Sequence, residues 1–222
     1  MAKRGKISVE LLDTSAQLEK IILSTIKKSF LVALQKSSKK IESGFSGLVY
    51  NAVYNCVEME QVRGGSLRHE LGLPSSQGSA VSEQIARTVS QSVFVEVQKP
   101  RGKNSGGLIV NIQPTNFANV LSVSGSTVDY FSKRNKENVT LEWLDWLLTR
   151  GDAIIVGKFH FEPTAGRGRT GGGRMEKGGS WKINSQFSGT VSDNFISRAL
   201  EGKSIRGKMT KIIEQTIKKN WN

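Results

Sequence analysis

A single cysteine, Cys56, excludes an intramolecular disulfide, and with it the stapled scaffolds of small secreted domains. Two histidines, His69 and His160, with no cysteine or carboxylate cluster beside them, are too few for a metal site. No apolar run approaches the ~18 residues that a membrane-spanning helix needs. Residues 1–30 begin basic but lack the apolar block and small-residue cleavage site of a secretory signal. Acids are also scarce, with 19 Asp and Glu against 32 Lys and Arg, for a net charge of +13. These absences predict synthesis in the cytoplasm, no membrane segment, no cofactor and no metal, and partners selected partly by positive charge.

What is present suits a globular chain. Hydrophobic residues make up 37% of it, too many for global disorder. The length fits one domain spanning 1–222. The positive charge is local. Residues 1–40 hold nine Lys and Arg against three acids, residues 163–182 hold five against one, and residues 203–222 hold six against one. Basic charge therefore gathers at both ends and in one late loop.

Residues 1–10 read as a basic, mobile segment. Thr14-Ser15-Ala16-Gln17 has the hydroxyl and Gln spacing of a capping box, which predicts a helix start. Leu18, Ile22, Ile26, Phe30, Ala33 and Ile41 continue it at near-helical spacing, with lysines between. Ser43-Gly44 reads as a break or kink. Phe45, Leu48, Val49, Ala52, Val53 and Cys56 then form a second helical stripe, which makes Cys56 a core residue. Residues 66–74 read as a short helical turn stopped by Gly72 and Pro74, residues 75–79 as a loop, and Val81, Ile85 and Val89 as a third helix.

The period then changes. Val93, Val95 and Val97 alternate as a strand does, and Leu108 to Ile112 forms a second strand across the polar loop 100–107, so the two suit a hairpin. Val120 to Val123 reads as a third strand. Thr140 is placed to cap a helix running to Leu148, with Gly151 as its stop. Ala153 to Phe161 is apolar at nearly every position and reads as a central strand. Residues 164–180 are glycine-rich and would form the tip of a long hairpin if Trp181 to Phe187 returns as a strand. A short helix from Asn194 to Leu200 and a basic amphipathic helix with Ile205, Met209, Ile212, Ile213 and Ile217 on one face close the chain. Helices, then strands around one helix, then helices predict an α+β fold: a helical part over 10–92, a sheet-rich part over 93–190 and a helical tail over 191–222. In this fold the terminal helices pack on a mainly antiparallel sheet that carries a long Gly-rich hairpin loop.

No arrangement of these residues supports an active site, so the chain reads as non-enzymatic. Gly166-Arg167-Gly168-Arg169-Thr170-Gly171 fits G-x-G-x-x-G, but no helix follows it and glycines continue the loop, so neither a dinucleotide site nor a phosphate loop is expected. The candidate contact residues are Arg167, Arg169, Arg174 and Lys177, with Trp181 the nearest aromatic. Three readings stay open for them. They could grip phosphates of nucleic acid, serve as an assembly arm that orders only on contact, or form a plain flexible surface.

Three stretches carry a resemblance. One is the helical region ending in Gly64-Gly65-Ser66-Leu67-Arg68-His69-Glu70-Leu71-Gly72-Leu73. A second runs from Trp146-Leu147-Leu148 to Gly151-Asp152-Ala153-Ile154-Ile155-Val156. The third runs from Gly168-Arg169-Thr170-Gly171-Gly172-Gly173 through Gly179-Ser180-Trp181 to Phe187-Ser188-Gly189-Thr190-Val191-Ser192-Asp193-Asn194-Phe195-Ile196. Together they resemble virion structural proteins of tailed bacteriophages, nearest to neck or tail-completion proteins that join the head connector to the tail. The resemblance implies a homo-oligomeric ring, neighbouring connector and tail proteins, a place in the virion near packaged DNA, and no enzymatic activity. The reading that competes with it is a nucleic-acid-binding protein using its basic ends and Gly/Arg-rich loop.

Overall fold

The computed structural model describes residues 14–99, 106–112, 116–132 and 136–221. The basic segment 1–10 and most of the polar loop 100–107 lie outside them. The fold is α+β, as the sequence pattern implies. Its first element is a 40-residue helix, α1 (Ser15–Tyr54), about 60 Å long at 1.5 Å per residue. The capping box is present: the Gln17 amide donates to Thr14 Oγ1, and Gln17 Oε1 accepts from the Thr14 amide at 2.8 Å. The helix runs straight through Ser43-Gly44. Gly44 is where the last helix crosses: a Cβ there would lie 2.9 Å from Cγ2 of Ile212, so the missing side chain admits a neighbour and does not end the helix.

Three helices follow: α2 (Val57–Gly64), α3 (Ser66–Glu70) and α4 (Ser75–Gln91). Residues 75–79, read as a loop, are the first turn of α4. Pro74 stands at its N-cap, where its missing amide proton removes no helical hydrogen bond. Ile41, Phe45, Val49 and Val53 of α1 bury against Val81, Ile85 and Val89 of α4.

The strands form three separate antiparallel ribbons. β1 (Phe94–Gln98) pairs with β2 (Gly107–Asn111), and the predicted hairpin is present. A short helix, α5 (Ala118–Leu121), occupies the stretch read as a third strand. β3 (Val128–Ser132) pairs with β4 (Glu137–Leu141), so Thr140 is in a strand and donates from Oγ1 to Asp129 Oδ1 at 2.6 Å, across the ribbon. The helix it was read as capping, α6 (Trp143–Leu148), starts after it. Trp143 is fully buried, and its indole N–H donates to the Gly125 carbonyl at 2.7 Å. β5 (Val156–Glu162) pairs with β6 (Arg174–Trp181) and, among the described residues, with no other strand. The run from Ala153 to Phe161 is therefore one arm of a ribbon and not a central strand, and Ile154 is exposed. Chain 182–187 leaves the ribbon, with Ile183 and Phe187 buried in the core.

α7 (Phe195–Glu201) and α8 (Lys203–Asn220) complete the chain. Asn194 caps α7 through Oδ1, which accepts from the Ile196 and Ser197 amides. Arg198 on α7 reaches Glu58 on α2 through Nη2 at 2.7 Å and Nε at 3.0 Å, and Asp193 through Nη1 at 3.0 Å. Burial works against the Arg198 cation, but Glu58 and Asp193 outweigh it and hold its pKa above the ordinary value. Glu58 is 6% exposed, so removing its partner strands a carboxylate in the core. Arg198→Met should destabilise the chain by on the order of 3 kcal/mol. The double change Arg198→Met with Glu58→Leu should recover most of that in urea unfolding; equal losses in the two variants would show that the ion pair contributes nothing.

Candidate functional site

The glycine-rich segment folds on itself and then onto the body. Residues 163–173 form the tip between β5 and β6, shorter than the 164–180 loop read from composition. The Gly166 amide donates to the Gly171 carbonyl at 2.8 Å, and the Gly173 amide to the Arg167 carbonyl at 3.1 Å. Gly168 has φ +75°, and a Cβ there would lie 1.8 Å from the Gly173 oxygen, so the turn tolerates no side chain. This double turn accounts for the G-x-G-x-x-G spacing without any nucleotide.

The tip then meets α3. Arg169 donates from Nη2 to the Gly72 carbonyl at 2.5 Å. His69 Nδ1 lies 2.9 Å from Thr170 Oγ1, and Arg68 Nη2 lies 3.2 Å from His69 Nε2. A guanidinium only donates, so His69 Nε2 accepts, and the proton on Nδ1 is donated to Thr170. The ring lies against Gly172, where a Cβ would sit 2.2 Å from it. Nearby, burial pushes the Glu70 carboxyl up, partly offset by the Trp181 indole N–H, although that N–H has no partner at full hydrogen-bonding geometry.

The five candidate contact residues are therefore divided. Trp181 is in the core at 6% exposure. Arg169 is engaged by Gly72. Arg174 pairs with Glu176 at 2.5 Å. Arg167 and Lys177 face solvent and make no ion pair among the described residues. A tip held by its own chain does not match the expectation of a segment ordered only by a partner. His160, read as structural, places Nδ1 3.0 Å from the Gly178 carbonyl and Nε2 3.7 Å from Glu162. Cys56 is half-buried, and burial pushes its thiol up to about 12, which keeps it protonated at neutral pH.

Sequence reading singled out the loop, but the helices offer the larger surfaces. From Ser15 to Ser29, α1 extends beyond the body, about 22 Å of helix. Ile21, Ile22, Leu23 and Ile26 on it are 48–56% exposed. They were legible as an amphipathic stripe, but not as an uncovered one. α8 lies antiparallel on the next part of α1. Ser37 Oγ donates to the Thr216 carbonyl at 3.4 Å and accepts from Asn220 Nδ2 at 3.0 Å, and Phe30 and Trp221 meet with ring centroids 5.5 Å apart. Among the described residues no helix is long and apolar enough to cross a membrane.

The Gly64–Leu73, Trp146–Val156 and Gly168–Ile196 stretches meet in space. The Gly168–Gly173 tip sits on the turn at His69 and Gly72, and the Gly151 amide donates to the Gly189 carbonyl at 2.8 Å. Comparison with protein-family models, with curated proteins and with solved structures gives no match.

Two outcomes follow from the tip. His69→Ala removes its hydrogen bond and its packing surface, so trypsin should cut after Arg167 or Arg169 several-fold faster than in the parent; unchanged cleavage would show that the turn alone holds the tip. Glu70, with its pKa raised on folding, binds its proton more tightly in the folded chain. Stability is therefore lost as pH rises through the raised Glu70 pKa. Glu70→Gln should raise the melting temperature at pH 7 by a few degrees at most and leave it unchanged at pH 3.

Proposed function

We propose that this chain is a non-enzymatic assembly subunit that closes into a homo-oligomeric ring, as a structural component of a tailed-bacteriophage virion at the neck or tail-completion position. The observation that carries the reading is the free end of α1. Ile22 and Ile26 continue the line of Phe30, Ala33 and Ser37, the line that α8 covers further along. A second row, Leu18, Ile21, Thr25 and Val32, lies roughly a third of a turn away on an ideal helix. Val32 is 47% exposed, so this row is uncovered too. A helix with apolar residues on two sides requires two neighbours. Head-to-tail rings supply them, because every subunit uses one interface twice, once with each side.

Other observations support the same reading. The one thiol is held protonated, both histidines are engaged within the chain, and the hairpin is braced rather than loose. The resemblance to neck and tail-completion proteins adds the location in the virion, with connector and tail proteins as neighbours. Ring closure is tested by light scattering of the full chain. The parent should show a discrete mass of several subunits, alone or with connector and tail proteins. Replacing Ile21, Ile22 and Ile26 together with Gln should leave a folded monomer, because all three are about half exposed. A parent that stays monomeric in every mixture, or a variant that still assembles, would overturn the reading.

A further inference from the structure

We propose that the solvent face of α8, together with the adjoining lysines of α1, is a contact surface for the phosphate backbone of double-stranded nucleic acid. The proposal does not rest on ring assembly. It begins with how α8 is partitioned. Met209, Ile212, Ile213 and Ile217 pack against the body. Lys208, Lys211, Lys218 and Lys219 fall on the opposite side, at spacings i, i+3, i+10 and i+11, and all four are exposed. They span about 16 Å of helix. The hydrogen bonds from Ser37 to Thr216 and from Asn220 to Ser37 bring Lys36 of α1 level with Lys219 of α8. Lys40 follows one turn along α1.

Ion pairs occur at several places on the rest of the surface. Arg87 has Glu83, Arg150 has Asp145, Arg174 has Glu176, Lys182 has Asp152, and Arg198 has Glu58 and Asp193. None of the six cations of α8 has an ion-pair partner among the described residues, and the helix carries one acid, Glu214. A row of unopposed lysines repels itself, and an anionic surface laid over it relieves that repulsion.

Three features choose the anion. The apolar side of α8 is already packed on α1, so the helix cannot bury that side in a lipid surface as an interfacial helix does. The one aromatic beside these lysines, Trp221, packs its ring against Phe30 with centroids 5.5 Å apart, so the lysine row itself offers no series of aromatic platforms for unpaired bases. The face is dominated by lysine ammonium groups, point charges that suit a regular line of phosphates and read no sequence. A duplex presents one charge per ~1.7 Å of axis, so a 16 Å row meets several phosphates at once.

The test uses the full chain and a 30-base-pair DNA duplex of arbitrary sequence, with affinity measured at several salt concentrations. Changing Lys208, Lys211, Lys218 and Lys219 together to Gln should reduce the slope of log affinity against log salt by about 3–4. A control variant with Lys99, Lys158, Arg167 and Lys177 changed to Gln removes the same charge from exposed positions elsewhere. It should leave the slope nearly unchanged. Equal losses in both variants would show that overall charge alone binds the duplex, and would overturn the proposal. So would equally tight, α8-dependent binding to vesicles containing phosphatidylserine. Hydrogen exchange on the unaltered chain gives a second readout: the duplex should protect 203–220 and the facing part of α1, and protection confined to the hairpin would also overturn the proposal. Light scattering of the α8 variant keeps this result separate from ring formation, which should persist.

Discussion

The buried stripe of α1 organises the molecule. Ala33, Leu34, Ile41, Phe45, Val49 and Val53 are each 0–2% exposed, and they lie along one helix longer than the rest of the fold can cover. An isolated helix of this composition gains little from propensity alone, so its stability comes from what packs on that stripe. α4 covers the C-terminal half, β1 rests beside Glu42, and α8 covers the middle. Glu42 shows how closely these are fitted: the Val95 amide, with help from Lys39, holds its carboxyl below the ordinary range. With the stripe saturated over 33–53, the remaining turns of the same helix are left outside the body.

The ribbons depend on this helical frame rather than on each other. A two-stranded ribbon is marginal in water. The first and third are tied to groups outside their own strands: the Val95 amide of β1 donates to Glu42 of α1, and the His69 turn packs against the tip of the β5–β6 hairpin. The glycines that looked like disorder in composition are the positions where the chain turns back on itself or meets an aromatic ring. Arginines beside such glycines then act within the chain, as Arg169 does at Gly72, and are not all free to meet a partner.

Local signals were legible and long-range ones were not. Thr14 and Gln17 mark a helix start because the capping box is a three-residue event. The α8 face is legible because its period is written in isoleucines and lysines. Gly44 misleads because glycine both breaks helices and admits close neighbours, and Ile212, the residue that decides, is far away in sequence. Residues 75–79 mislead because Ser and Gly suit a loop or a first turn equally well. β3 and β4 are five residues each and lie between stronger helical patterns. The His69–Thr170 contact joins positions 101 residues apart, and no local pattern encodes it. The arm was legible as amphipathic, but its exposure depends on where α8 stops.

The antiparallel seating of α8 also orders events during synthesis. Ser37 meets Thr216 and Asn220 across separations of 179 and 183 residues, and Phe30 meets Trp221 just beyond α8. Chains fold from the N-terminus as they emerge. Until residues 203–220 leave the ribosome, α8 cannot cover the middle of α1, and its apolar line runs uninterrupted from Ile22 to Ile41. The closing helix thus divides that line into a sealed part and an open part. Only a chain with α8 in place presents an open segment of defined length, so a chain interrupted before α8 carries a longer apolar surface.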